Sequence, residues 1–186
     1  MNISELLQGE TGSQIISEIS KKIGSTDKEV SAMLNEAAPM LLEMLHKNSS
    51  SSKEGEESLS KALEQHDGSI LDKISGSLDH ENAAVDGHKI LGNILGENRN
   101  SVEEALASKT GVDSSKISGA LVYLAPVIMG YLGKQHSASG NKDLPGLLNS
   151  LLQGSSSALG TSIISSLLSG KSGFGGILER FLSKKK

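Results

Sequence analysis

Two stretches of this chain place Ala-Pro inside an apolar helical pattern: "NEAAPMLLEML" at residues 35–45 and "VYLAPVIMGYL" at residues 122–132. Proline removes a backbone donor and crowds the carbonyl four residues back, so a helix interior rarely accepts it. Here it occurs twice, with Pro39 and Pro126 standing 87 residues apart. At that offset residues 19–47 lie over residues 106–134 without a gap. Lys22/Lys109, Gly24/Gly111, Ser31/Ser118, Leu34/Leu121, Ala38/Ala125, Leu45/Leu132 and Lys47/Lys134 are identical, as are the prolines. Agreement of that length reads as an internal repeat.

Each copy reads as helix, turn, helix. In the first, Ile15, Ile16, Ile19 and Ile23 share one helical face. Gly24 suits the left-handed position that ends a helix, and Thr26 with Glu29 forms a capping box for the next one. Val30, Met33, Leu34, Ala37, Leu41, Met44 and Leu45 then make one apolar stripe. The second copy answers with Gly111, an Asp113 cap, and Ile117, Ala120, Leu121, Leu124, Ile128, Tyr131 and Leu132. Both stripes keep phase across the proline, which predicts a kinked helix or two helices meeting there, not a surface loop. The units span about residues 13–47 and 100–134, joined through a polar, low-complexity linker at about 48–58. Two short helices opened by Asp-Gly follow, at "DGSILDKISG" and "DGHKILGNILG", with Asp67 and Asp86 as caps. Asn100 and Glu103 read as a further capping box. No alternating strand pattern occurs, so residues 1–136 are expected to form an all-α core, an internally duplicated helical bundle.

From residue 137 onward, 20 of the last 50 residues are Gly or Ser. Three amphipathic patterns stand in this tail: Leu144, Leu147, Leu148, Leu151 and Leu152; then Leu159, Ile163, Ile164, Leu167 and Leu168; then Phe174, Ile177, Leu178, Phe181 and Leu182, followed by three lysines. Interior glycines weaken such short helices, which therefore need a surface to lie on.

The blocks at residues 62–78, 85–96 and 110–134, with His-Asp-Gly, Asp-Gly-His and Ala-Pro in that order, resemble a bacterial family of unknown function, the YidB-like family. The resemblance runs over roughly residues 1–134. It implies an all-α fold with homeodomain-like helix packing and assigns no catalytic residue.

Composition excludes several functions. The net charge of −4, with a pI near 5.7, argues against a general polyanion binder. Only Arg99 and Arg180 supply guanidinium groups. Cysteine is absent, which removes disulfides, thiol catalysis and thiolate metal sites and fits a reducing cytosol. The N-terminus carries no signal-peptide pattern, and no run reaches the roughly 20 continuous apolar residues of a membrane span. A cytoplasmic protein is expected.

Residues 106–121 carry a helix-turn-helix pattern through Ala107, Gly111, Val112, Ile117 and Ala120. Lys109, Ser114, Ser115 and Lys116 are its DNA-contact candidates. They lack the Arg, Asn or Gln of bidentate base readout, and acids flank them, so a packing corner is the preferred reading. His80, Glu81, Asp86 and His88 are ligand types for a metal, but their spacing matches no closed site, and no motif calls for a cofactor. No nucleophile elbow or phosphate loop occurs, so an enzyme is not expected. The tail offers Leu147, Leu151, Ile163, Leu167, Phe174 and Phe181 as contacts for a protein partner or a second copy of the chain. Its apolar stripes and terminal lysines also admit contact with an anionic membrane surface.

Overall fold

The structure is a computed structural model and describes residues 3–79, 81–140 and 143–153. Among these residues the chain is all-α and contains no strand. Two long helices form the centre, α3 (Asp27–Ser51) and α9 (Ser114–Ser139). They pack on each other, and the shorter helices surround them: α1 (Ile3–Gln8), α2 (Glu10–Ile23), α4 (Lys53–Glu64), α5 (Ser69–Asp72), α6 (Ile74–Asp79), α7 (Glu81–Leu95), α8 (Arg99–Thr110) and α10 (Leu144–Leu152).

Every residue of the two apolar stripes read from the sequence is buried. Burial extends further, because the middle of each long helix is covered on all sides, over residues 37–42 in α3 and 124–133 in α9. Both helices run through their proline as single elements. Pro39 deprives the Asn35 carbonyl of its helical donor, and Asn35 is exposed, so water can serve it. Pro126 does the same to Val122, which is only 4 % exposed. There the backbone of α7 comes in. Gly87 lies so close to the Val122 carbonyl oxygen that any Cβ would overlap it. Gly133, further along α9, is similarly pressed against the His66 carbonyl. The membrane-length stretch Ser114–Ala138 falls in α9, and 78 % of its apolar window is buried inside the bundle.

The turns before the long helices follow the sequence. Gly24 and Gly111 end α2 and α8 in left-handed conformation, φ 63° and 72°. At Thr26 the capping box is complete: the Glu29 N–H donates to the Thr26 hydroxyl at 3.2 Å, and the Thr26 N–H donates to the Glu29 carboxylate at 2.9 Å. Asp113 holds the equivalent position before α9 but makes no side-chain capping bond.

Several expectations need correction. Residues 48–58 are not a linker: α3 continues to Ser51, and α4 starts after Ser52, whose hydroxyl accepts from the Gly55 N–H at 3.0 Å. Leu59 and Leu63 anchor α4 in the core, which outweighs the polar composition of its first turn. Asn100 does not cap α8, which begins at Arg99; Glu103 turns to Arg99 instead. Asp86 is no cap, because α7 begins five residues earlier and Asp86 lies inside it. Asp67 does act locally, accepting from the Ser69 N–H at 2.9 Å, and that bond holds its carboxyl below the ordinary range. The expected single helix after it breaks at Lys73 into α5 and α6. Finally, the first tail segment folds as α10 and packs on α3 and α4, with Leu144, Leu148 and Leu151 in the core. Its Asp143 cap accepts from the Gly146 N–H at 3.0 Å.

Candidate functional site

Three places gather the residues with chemical potential. The first is the α8–α9 corner. Val112, Ile117 and Ala120 are buried, and Lys109, Ser114 and Ser115 are exposed. Lys116, however, lies 3.7 Å from the Glu29 carboxylate of α3. Glu29 has a pKa lowered to about 2, chiefly by the Thr26 N–H, then by the Ser25 and Thr26 hydroxyls, with Lys116 adding a smaller attraction. The corner thus places a firmly ionised carboxylate beside the one lysine that a groove-entering helix start would offer.

The second is a polar knot where α7, α8 and α9 meet. Arg99 donates through Nε to the Glu103 carboxylate at 2.7 Å and through a terminal nitrogen to the Ser118 hydroxyl at 3.1 Å; another terminal nitrogen stands 3.2 Å from His88 Nδ1. Glu103 is 8 % exposed, and the Arg99 guanidinium balances its charge. A planar fork that reaches three partners in fixed directions is a structural clamp. This geometry accounts for His88 and Glu103. Capping-box spacing from Asn100 suggests a different role for Glu103, but Arg99, four residues before it, takes its carboxylate.

Of the metal-ligand candidates, His80 and the Glu81 side chain lie outside the described residues. Asp86 is exposed and sits 3.7 Å from Lys89. Among the described residues, no group of three or more His, Cys, Asp or Glu is placed to hold an ion.

The third place is a cavity of about 410 Å³ between α3, α4, α7 and α9. Leu45, Leu59, Ile90, Ile94 and Met129 form its buried floor. Asn48, Ser58 and Asn93, all exposed, stand at its mouth. Asn48 Nδ2 donates to the Ile94 carbonyl at 3.0 Å and ties α3 to α7 across one side. Ser49, buried within, donates to the His46 carbonyl. Sequence reading missed this cavity, because it depends on the packing of four helices and on α4 being a helix at all.

Of the tail contact candidates, Leu151 is buried in the core and Leu147 is partly buried against it. Ile163, Leu167, Phe174 and Phe181 lie outside the described residues.

The fold and these sites define an all-α helical protein built around two proline-bearing central helices. Residues 5–135 match the family described as "Bacterial protein of unknown function (DUF937)", and the chain belongs to that family. No curated protein and no solved structure matches it.

Proposed function

We propose that the protein is a non-enzymatic helical scaffold of the cytoplasm, which associates with itself or with a protein partner through the apolar segments of its tail. The observation that supports this reading is α10. A leucine stripe of the Gly/Ser-rich tail binds a helical surface here, burying Leu144, Leu148 and Leu151 against α3 and α4. The two later segments, around Ile163 and Leu167 and around Phe174 and Phe181, repeat that chemistry in sequence. Among the described residues the core has little else to offer a partner, since Val85 is its exposed large hydrophobe.

The test is molar mass by light scattering on the full chain and on full-length Leu167→Asp/Phe174→Asp. An assembly, with itself or a captured partner, that the double substitution dissolves supports the reading; association unchanged by it removes the tail from the mechanism. Truncation should be made after Gln153, because a cut at residue 137 would also strip α10 from the core. A DNA-binding reading draws no support from the α8–α9 corner, where Glu29 sits against Lys116. A salt-dependent shift with duplex DNA, weakened by Lys109→Glu/Lys116→Glu, would revive it.

A further inference from the structure

Among the described residues, none of the tail lines the cavity between α3, α4, α7 and α9, and the scaffold reading does not use it. We propose that it binds an uncharged amphiphile: a molecule with an apolar body of small-molecule size and one neutral hydrogen-bonding head, such as a medium-chain alcohol.

Size comes first. About 410 Å³ falls within the range of roughly 300–1,000 Å³ typical of small-molecule sites. It is too small for a helix laid lengthwise, and the helix-sized surface on α3 and α4 is already taken by α10.

Charge comes second. Among the described residues, none that lines the cavity is ionisable. A carboxylate, phosphate or ammonium entering it would lose water and gain no countercharge, which disfavours every charged ligand. An apolar body instead replaces missing contacts against Leu59, Ile94 and Met129.

Orientation comes third. The Ser49 hydroxyl inside the cavity is committed to the His46 carbonyl, and the other polar side chains of the lining stand at the mouth, so the head of the ligand faces outward. The Asn48 amide nitrogen is committed to the Ile94 carbonyl. Its Oδ1 is then the acceptor presented to a hydroxyl, with the Asn93 amide beside the same opening.

The full chain should be titrated with the neutral fluorophore N-phenylnaphthylamine. The expected result is a saturable signal of one probe per chain, displaced by decanol and at least about tenfold less well by decanoate. Ala62→Phe adds bulk from the partly exposed wall and should weaken the probe by about tenfold or more. Asn93→Lys, at an exposed position, should shift competition toward decanoate even if the first variant is unstable. Val85→Ser, away from the cavity, should change nothing. The proposal is overturned if no saturable signal forms, if decanoate competes as well as decanol, or if Asn93→Lys leaves the competition order unaltered. A signal that arises only in full-length Ile163→Asp/Leu167→Asp would also overturn it, by making the chain's own tail the occupant.

Discussion

Gly87 of α7 rests against the carbonyl of Val122 in α9, the carbonyl that Pro126 leaves without its helical donor. The two features explain each other. The proline frees an acceptor inside the bundle, and a residue without a side chain lets a neighbouring backbone approach it, where a Cα–H contact offsets part of the lost bond.

Substitution at Gly87 should therefore be costly despite alanine's better helix propensity. Gly87→Ala is expected to lose about 1–3 kcal/mol through overpacking. Gly92, on the exposed side of the same helix, has open space around it; Gly92→Ala should gain roughly 0.5–1 kcal/mol. Urea denaturation of the pair checks both signs at once, and equal behaviour would refute the close-approach account.

Arg99 should not tolerate lysine. Arg99→Ala leaves the Glu103 carboxylate, 10 % exposed in its side chain, without its ion pair, at a cost of about 2–4 kcal/mol. Arg99→Lys recovers only part of this, because a single ammonium cannot reach Glu103, Ser118 and His88 together. Adding Glu103→Gln to Arg99→Ala should restore much of the loss, which a double-mutant cycle in denaturant would measure.

Acid should erode the start of α3. Glu29 has its pKa lowered from an ordinary 4.5 to about 2, first by the Thr26 N–H and then by the neighbouring hydroxyls. A group depressed in this way contributes stability that is full above its unfolded pKa and is lost as pH falls through the folded one. Wild type should exceed Glu29→Ala by a constant margin above about pH 5, and the margin should shrink between about pH 4.5 and pH 2. A margin independent of pH across that window would mean that the carboxylate's charge contributes nothing to the cap.

The tail's first helix should be needed by the core. Leu148→Ala, at a position with 0 % exposure, is expected to cost about 2–5 kcal/mol. Thermal melting of that variant beside Leu147→Ala, which is only partly covered, should show the larger drop for Leu148.

What the sequence made legible was the periodic part of the fold. Apolar spacing located the faces of α2, α3 and α9, and Gly24, Thr26 and Gly111 marked their ends, because those signals act within one or two helical turns. The signals that failed were local ones overruled by competing contacts, most of them from elsewhere in the fold. Ser-rich residues 48–58 read as linker because their composition is polar; Leu59 and Leu63, packed on the core, make them helical. Asp86-Gly87 read as a helix start, but the glycine serves Val122, 35 residues further on. Asn100 and Glu103 had capping-box spacing, yet Arg99 claims the carboxylate. The cavity has no signature in sequence, since its lining comes from four helices.

The central pairing of α3 with α9 brings one long helix from the early part of the chain onto another from the late part. Neither half of the molecule owns a closed interior. A protease nick in the exposed turn Gly96–Asn98 would therefore not liberate two independent domains. It would produce two fragments, each carrying an uncovered apolar face fitted to the other, and they would stay together or re-form the bundle on mixing, as a complementing pair.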